Sequence, residues 1–375
     1  MRLQPIITAC LLAGVTLLLY GFRIAAEPLS AEETVFVEQA RTLGQSTPLF
    51  FHVRDERWLQ PIAVYAQALA RVVGAGDMSG RIASTIAGAA NVALVFAVVR
   101  LAAREWIAIA AALLLLMTPA HWTYARLGTD AMFPAPFVLI WLYGTLTYFR
   151  RDRARALVLA GGALGLGTYA HQTAPLTMAW LLVLTVIAVI GARGWGWRAL
   201  AAMVSAYALL LLPAIAWFVQ TPGTYMDTFG RWAVLAAHIR FPLDGLRAQI
   251  NWNTLSNRAS LFWSFLDPSF LFFAARGAAV APMLACSAIL IPLGILRVLS
   301  SSEPGARIVQ LSAVIVPVLI ASTFGQPKDL GNAVVLIGTA AVLAASGLES
   351  LKARSAAWSW VAGAMALVSI VQLLA

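Results

Sequence analysis

The chain is a succession of apolar runs, about eleven of them close to the ~20 residues that a bilayer's hydrocarbon core demands of a helix. Their approximate limits are 5 to 24, 81 to 100, 106 to 122, 131 to 149, 156 to 172, 174 to 192, 199 to 219, 278 to 298, 308 to 324, 332 to 348 and 356 to 374. Lipid offers no partner to a backbone N–H or C=O, so such runs must be helices, and they are too long and too unalternating for barrel strands. With 61% hydrophobic and 11% charged residues, the composition excludes an ordinary soluble domain. The expected fold class is an all-α polytopic membrane protein forming a single unit over 1–375. The first run follows Arg2 and precedes Ala25 and Ala26, the layout of a signal peptide, but its apolar length predicts an uncleaved anchor.

Orientation follows from charge. With the N-terminus inside, the inner segments hold thirteen of the 26 Lys and Arg residues beside only four acids, Glu105, Asp152, Glu303 and Glu349. The other thirteen share much longer loops with twelve acids. Short cytoplasmic loops retain basic residues, so the N-terminus is expected in the cytoplasm. The pI near 10.3 then reflects topology and not a nucleic-acid partner, since the basic residues form no soluble patch with interleaved aromatics. Cys10 and Cys286 fall in apolar runs and read as small buried residues. No P-loop, dinucleotide fingerprint or paired CxxC is present, which argues against a nucleotide-driven activity.

Two outer segments, 25–80 and 220–277, exceed what a connector needs, and loops this long usually carry function. The first contains LSAEETVFVEQARTL, Leu29 to Leu43, where adjacent carboxylates Glu32 and Glu33 open a helix, and a second amphipathic stretch, Leu59 to Val73. Polar residues near span ends gather on the same side: Arg57, Gln60, His121, Arg126, Asp130, Tyr169, His171, Gln172 and Lys328. Each also has a plainer reading. Ser30 to Glu33 fits a capping box, Arg126 and Asp130 are spaced as a helix ion pair, Asp130 could instead cap the fourth span, and His171 could be a wetted interfacial histidine.

The order of these features resembles the membrane C-type (GT-C) glycosyltransferases that take sugar from a polyprenyl phosphate, the bacterial relatives of protein mannosyltransferases, aminoarabinose transferases and lipopolysaccharide galacturonosyltransferases. The residues that carry the resemblance are AEETVFVEQARTL, WLQPIAVYAQAL, GDMSGRIASTIAG, TPAHWTYARLGTDAMF, GGALGLGTYAHQTAPL and FWSFLDPSFLFFAARG. They match, in order, an acidic pair opening a helix, a Pro-containing helix, an Arg starting the second span, a span ending in Pro before an Arg and a second acid, a glycine-rich fifth span, and an aromatic outer segment. The likeness runs to about Gly277. This chain has Glu32 where the family usually has Asp, Gln60 where some relatives have Lys, and Pro175 where many have Arg.

The resemblance implies an inverting transfer of a sugar from a polyprenyl-phosphate donor to a lipid, glycan or protein acceptor at the outer face of a bacterial cytoplasmic membrane. Glu32, Glu33 and Asp130 are then the catalytic residues, with Glu32 as general base. Arg57, Gln60, Arg126, Tyr169, His171 and Lys328 bind substrate, the cations among them neutralising the phosphate. Membrane lipid is a partner, no firmly bound metal is expected although a divalent cation fits the chemistry, and no separate soluble domain follows the last span. The competing readings are a lipid or solute carrier, disfavoured because no acid lies deep within a span, and a noncatalytic protein derived from the transferase fold.

Overall fold

The computed structural model describes residues 4–43, 47–53, 57–193, 196–224, 255–273, 281–324 and 328–354. The expected span 356–374 and most of the loop 220–277 lie outside them. The described chain is helical apart from one antiparallel hairpin, β1 (Phe51–Val53) with β2 (Arg57–Leu59), in which Phe51 pairs with Leu59 and Val53 with Arg57. The helices are α1 (Gln4–Gly21), α2 (Ala31–Thr42), α3 (Pro61–Val72), α4 (Ser79–Arg100), α5 (Glu105–Leu116), α6 (Pro119–Arg126), α7 (Pro134–Arg151), α8 (Ala154–Gly167), α9 (Ala174–Arg193), α10 (Trp197–Gln220), α11 (Leu255–Phe265), α12 (Pro268–Phe272), α13 (Ser287–Leu299), α14 (Pro304–Ala321) and α15 (Val335–Arg354).

By length and apolarity five described helical segments suffice to cross a bilayer: α1, Gly76–Arg100, α9, α10 and α14. The expected run 106–122 is α5 and α6, which together are long and apolar enough to cross but are bent by 62° at the break. Pro119 causes the break, because a proline disfavours helix in the residue before it and lacks the N–H that would continue the ladder. The runs expected near 156–172, 278–298 and 332–348 become the shorter apolar helices α8, α13 and α15. Five described helices, α3, α6, α7, α12 and α14, begin with proline in the first turn, where its missing N–H is no loss.

The helix α4 organises the core. Its apolar window is 67% buried, against 11% for α1 and 17% for α10, so α4 packs among helices while α1 and α10 leave apolar faces for lipid. Trp141 on α7 is fully buried and donates to Thr185 Oγ1 on α9 at 2.9 Å. That bond leaves no polar atom of the indole facing hydrocarbon and adds roughly 0.6 kcal/mol by the measure of interhelical bonds in membranes. Helices α13 and α15 lie so close that a Cβ on Gly294 would strike Leu343 O, and one on Gly347 would strike Leu290 O.

At the end of the bundle that holds α2 and α3, Asp77 accepts from Arg41 at the end of α2 and from Arg71 near the end of α3. This exposed pair of bridges joins both short helices to the start of α4.

Candidate active site

The sequence around Glu32 folds locally for two reasons. Ser30 caps α2: Glu33 N donates to Ser30 Oγ at 3.2 Å, and Ser30 N donates to Glu33 Oε2 at 2.8 Å. This is the capping box, and it directs consecutive carboxylates to opposite duties. Glu33 is buried and Glu32 is exposed.

Glu33 is the joint of the site. Arg81 Nε donates to its Oε1 at 2.7 Å, Arg81 Nη2 to its Oε2 at 2.9 Å, and Gly128 N to Oε1 at 2.9 Å. Burial pushes the Glu33 carboxyl up, but Arg81 and the Ser30 and Gly128 amides outweigh it and hold the carboxyl at about 2. The remaining donors of Arg81 go to Ile24 O, Glu27 O and Pro28 O. All five of its N–H groups are therefore used, and one guanidinium ties the link between α1 and α2 to α4.

Gly128 belongs to the loop between α6 and α7, which carries Asp130. Two further bonds fix that loop, Gln67 Nε2 donating to Gly128 O at 3.0 Å and Ser84 Oγ to Thr129 O at 3.3 Å, while Thr85 Oγ1 donates to Ala125 O in the last turn of α6 at 3.0 Å. The approach needs glycine, since a Cβ on Gly80 would lie 3.0 Å from Gly128 Cα and 3.0 Å from Gln67 Oε1. Asp130 then faces His171, with Oδ1 3.7 Å from Nε2. Thr173 N donates to His171 Nδ1 at 3.2 Å, so in the neutral ring the proton resides on Nε2, toward Asp130.

Glu32, Asp130 and His171 line one cavity of about 240 Å³ together with Trp58, Tyr124, Gln172, Asp329 and Asn332. The far wall is a chain of hydrogen bonds. Gln172 Nε2 donates to Asn332 Oδ1 at 2.9 Å, Asn332 Nδ2 to Asp329 Oδ2 at 2.7 Å, and Gly331 N to Asp329 Oδ1 at 3.0 Å. The volume lies below the ~300 Å³ at which pockets begin to hold drug-sized ligands. Among the described residues no three of His, Cys, Asp or Glu converge as metal ligands.

The structure thus brings Glu32, Asp130 and His171 together and sends other expected residues elsewhere. Glu33 lies beneath the site and not in the cavity lining. Arg126 neither pairs with Asp130 nor lines the cavity: it donates to Tyr20 O at 2.6 Å and Phe22 O at 2.8 Å and stacks on Trp122 at 5.2 Å. Asp130 does not cap α7, whose first turn follows Phe133; its carbonyl accepts from Phe133 N at 3.2 Å.

The Tyr169 hydroxyl is inserted in α10, donating to Leu210 O at 2.6 Å and accepting from Ala214 N at 3.2 Å, next to the helix-breaking Pro213. Gln60 is buried at the start of α3, and its Oε1 has no hydrogen-bond partner among the described residues. Lys328 lies 3.5 Å from Asp267 and over the Phe270 ring, one residue before Asp329. Arg57 lies in β2 beside Trp58; its side chain is outside the described structure. His121 is buried against Tyr20, with 2.7 Å between Nδ1 and the hydroxyl.

The fold is shared with solved membrane glycosyl-transferring proteins, and part of the chain matches a family model. Residues 60–217 match the sequence model of the family described as dolichyl-phosphate-mannose-protein mannosyltransferase. Among solved structures, ArnT from Cupriavidus metallidurans bound to undecaprenyl phosphate superposes with a TM-score of 0.61 at 16% identity, over 97% of this chain and 62% of that one. The archaeal oligosaccharyltransferase AglB from Archaeoglobus fulgidus, in complex with an inhibitory peptide and a dolichol-phosphate, gives a TM-score of 0.61 at 14% identity, over 99% of this chain and 54% of that one. The Archaeoglobus fulgidus oligosaccharyltransferase complex with Zn and sulfate gives 0.64 at 13%, over 98% and 52%. No curated protein sequence matches the chain.

The family model matches residues 60–217 alone, and the likeness to the ArnT and AglB structures is a likeness of fold. The chain spans about three fifths of the ArnT chain and just over half of the AglB chain.

Proposed function

We propose that the protein transfers a sugar from a polyprenyl phosphate to a hydroxyl or amine of an acceptor, with inversion, at the outer face of the bacterial cytoplasmic membrane. The observation that carries this reading is the convergence of Glu32 and Asp130, from different parts of the chain, on one cavity while Glu33 holds both elements in place.

The chemistry asks little of the protein beyond placement and a base, because the phosphate is already a good leaving group. Glu32 takes the acceptor proton as the new bond to the anomeric carbon forms and the bond from that carbon to the phosphate oxygen breaks. Polyprenyl phosphate leaves with the electron pair. Asp130 accepts a hydrogen bond from the acceptor and orients it, and His171 sets the direction of Asp130. Arg57 and Lys328, neighbours in sequence of the lining residues Trp58 and Asp329, are the cations assigned to the phosphate. Glu33 is assigned a positioning role.

The test is release of labelled sugar from a panel of polyprenyl-phosphate sugars by the purified protein in lipid, with a native-membrane acceptor extract. Donor consumption that depends on acceptor supports a transferase. Binding without turnover by any donor leaves the noncatalytic reading, and movement of lipid across the bilayer without bond cleavage leaves the carrier.

A further inference from the structure

The wall of the cavity opposite α2 says what kind of sugar fits, an inference that rests on the transferase reading. The carboxylates of Glu32, Asp130 and Asp329 all line the cavity, and none of the described side chains that line it is Arg or Lys. The one basic group among them, the His171 imidazole, is turned to Asp130. Lys328, next in sequence to Asp329, lies 3.5 Å from Asp267 and over the Phe270 ring.

Asp329 is set to act as a hydrogen-bond acceptor. Its two oxygens receive Gly331 N and Asn332 Nδ2, and Asn332 is itself oriented by Gln172 from the other side. Only one orientation of the Asn332 amide satisfies both neighbours. The carboxylate keeps spare lone pairs, since an ionised Asp offers about four acceptor sites and two are used. An acceptor-only group suits sugar hydroxyls and an ammonium. It rejects a second carboxylate, because like charges brought together in a partly desolvated cavity repel strongly.

We infer that Asp329 is a specificity residue and that the transferred sugar carries no acid group: a neutral or amino sugar fits, a uronic acid does not.

The experiment measures binding and transfer of mannosyl, aminoarabinosyl and galacturonosyl polyprenyl phosphates by the full-length protein in nanodiscs, for the wild type and Asp329→Asn. The expected wild-type result is a galacturonosyl donor bound at least about tenfold more weakly than the mannosyl donor. Asp329→Asn should narrow that gap by at least about threefold. Should the variant fail to fold, raising the salt on the wild type narrows the same gap by screening.

A galacturonosyl donor bound or consumed as well as the mannosyl donor overturns the inference and leaves the transferase reading standing. A gap untouched both by salt and by a folded Asp329→Asn removes Asp329 from the role. Failure of every donor to bind overturns both readings together.

Discussion

Glu33 and Arg81, 48 residues apart in sequence, form a buried two-pronged ion pair that also receives the amide of Gly128. One carboxylate thereby fixes the helix that presents Glu32 against the loop that presents Asp130. Displacement of either element by about an ångström is enough to cost an enzyme orders of magnitude in rate.

Breaking the pair from one side strands a buried charge. Arg81→Met and Glu33→Gln are each expected to lower stability by about 3–5 kcal/mol and to abolish transfer. The double variant should cost clearly less than the sum of the two. Denaturation in mild detergent checks the stabilities, and additivity of the two losses would mean the groups are not coupled.

The same pair predicts an acid limit. Glu33 has an ordinary value of 4.5 and is held at about 2 in the folded protein. A lowered carboxyl contributes stability that is fully present above 4.5 and is lost as the pH falls through about 2, here about 3 kcal/mol. Wild-type stability should fall across that window, and Arg81→Met should flatten its slope.

The Tyr169 hydroxyl bonds the backbone of α10. Replacing Tyr169 with Phe removes the hydroxyl that bridges Leu210 O and Ala214 N beside Pro213. The expected result is a loss of about 1–3 kcal/mol, since a buried amide is left unpaired, with donor affinity changed less than about twofold. A large loss of affinity at unchanged stability would place Tyr169 in the binding site instead.

Arg126 is expected to behave similarly. Its guanidinium holds the carbonyls of Tyr20 and Phe22 at the end of α1, so Arg126→Ala should lower the melting temperature and leave donor affinity nearly intact. Donor titrations of the folded variant decide it.

The sequence was legible where physics is local. Long apolar runs required helices, and the Ser30 to Glu33 spacing fitted a capping box. Adjacent acids also showed where α2 begins. What the sequence hid was three-dimensional. Glu32 and Glu33 differ by one residue, and only the packing of α4 shows that one is buried against Arg81 while the other faces the cavity. Arg81 stood in view as the arginine that starts the second span, with nothing local to say which acid it would meet.

Asp329 and Asn332 lie in the segment KDLGN, where Lys328 drew attention by its charge. Their pairing with Gln172 joins positions 160 residues apart, a contact that no periodicity encodes. Tyr169 and Arg126 lie near span ends in the sequence, and the backbone groups that each one bonds are visible only in three dimensions.

The most direct test of the central claim is acceptor-dependent sugar release from a polyprenyl-phosphate donor in lipid, compared between the wild type and Glu32→Gln. The account predicts turnover by the wild type and a loss of at least about a hundredfold in Glu32→Gln, with donor affinity and melting temperature retained. Turnover by Glu32→Gln at the wild-type rate would contradict it, since the base would then lie elsewhere.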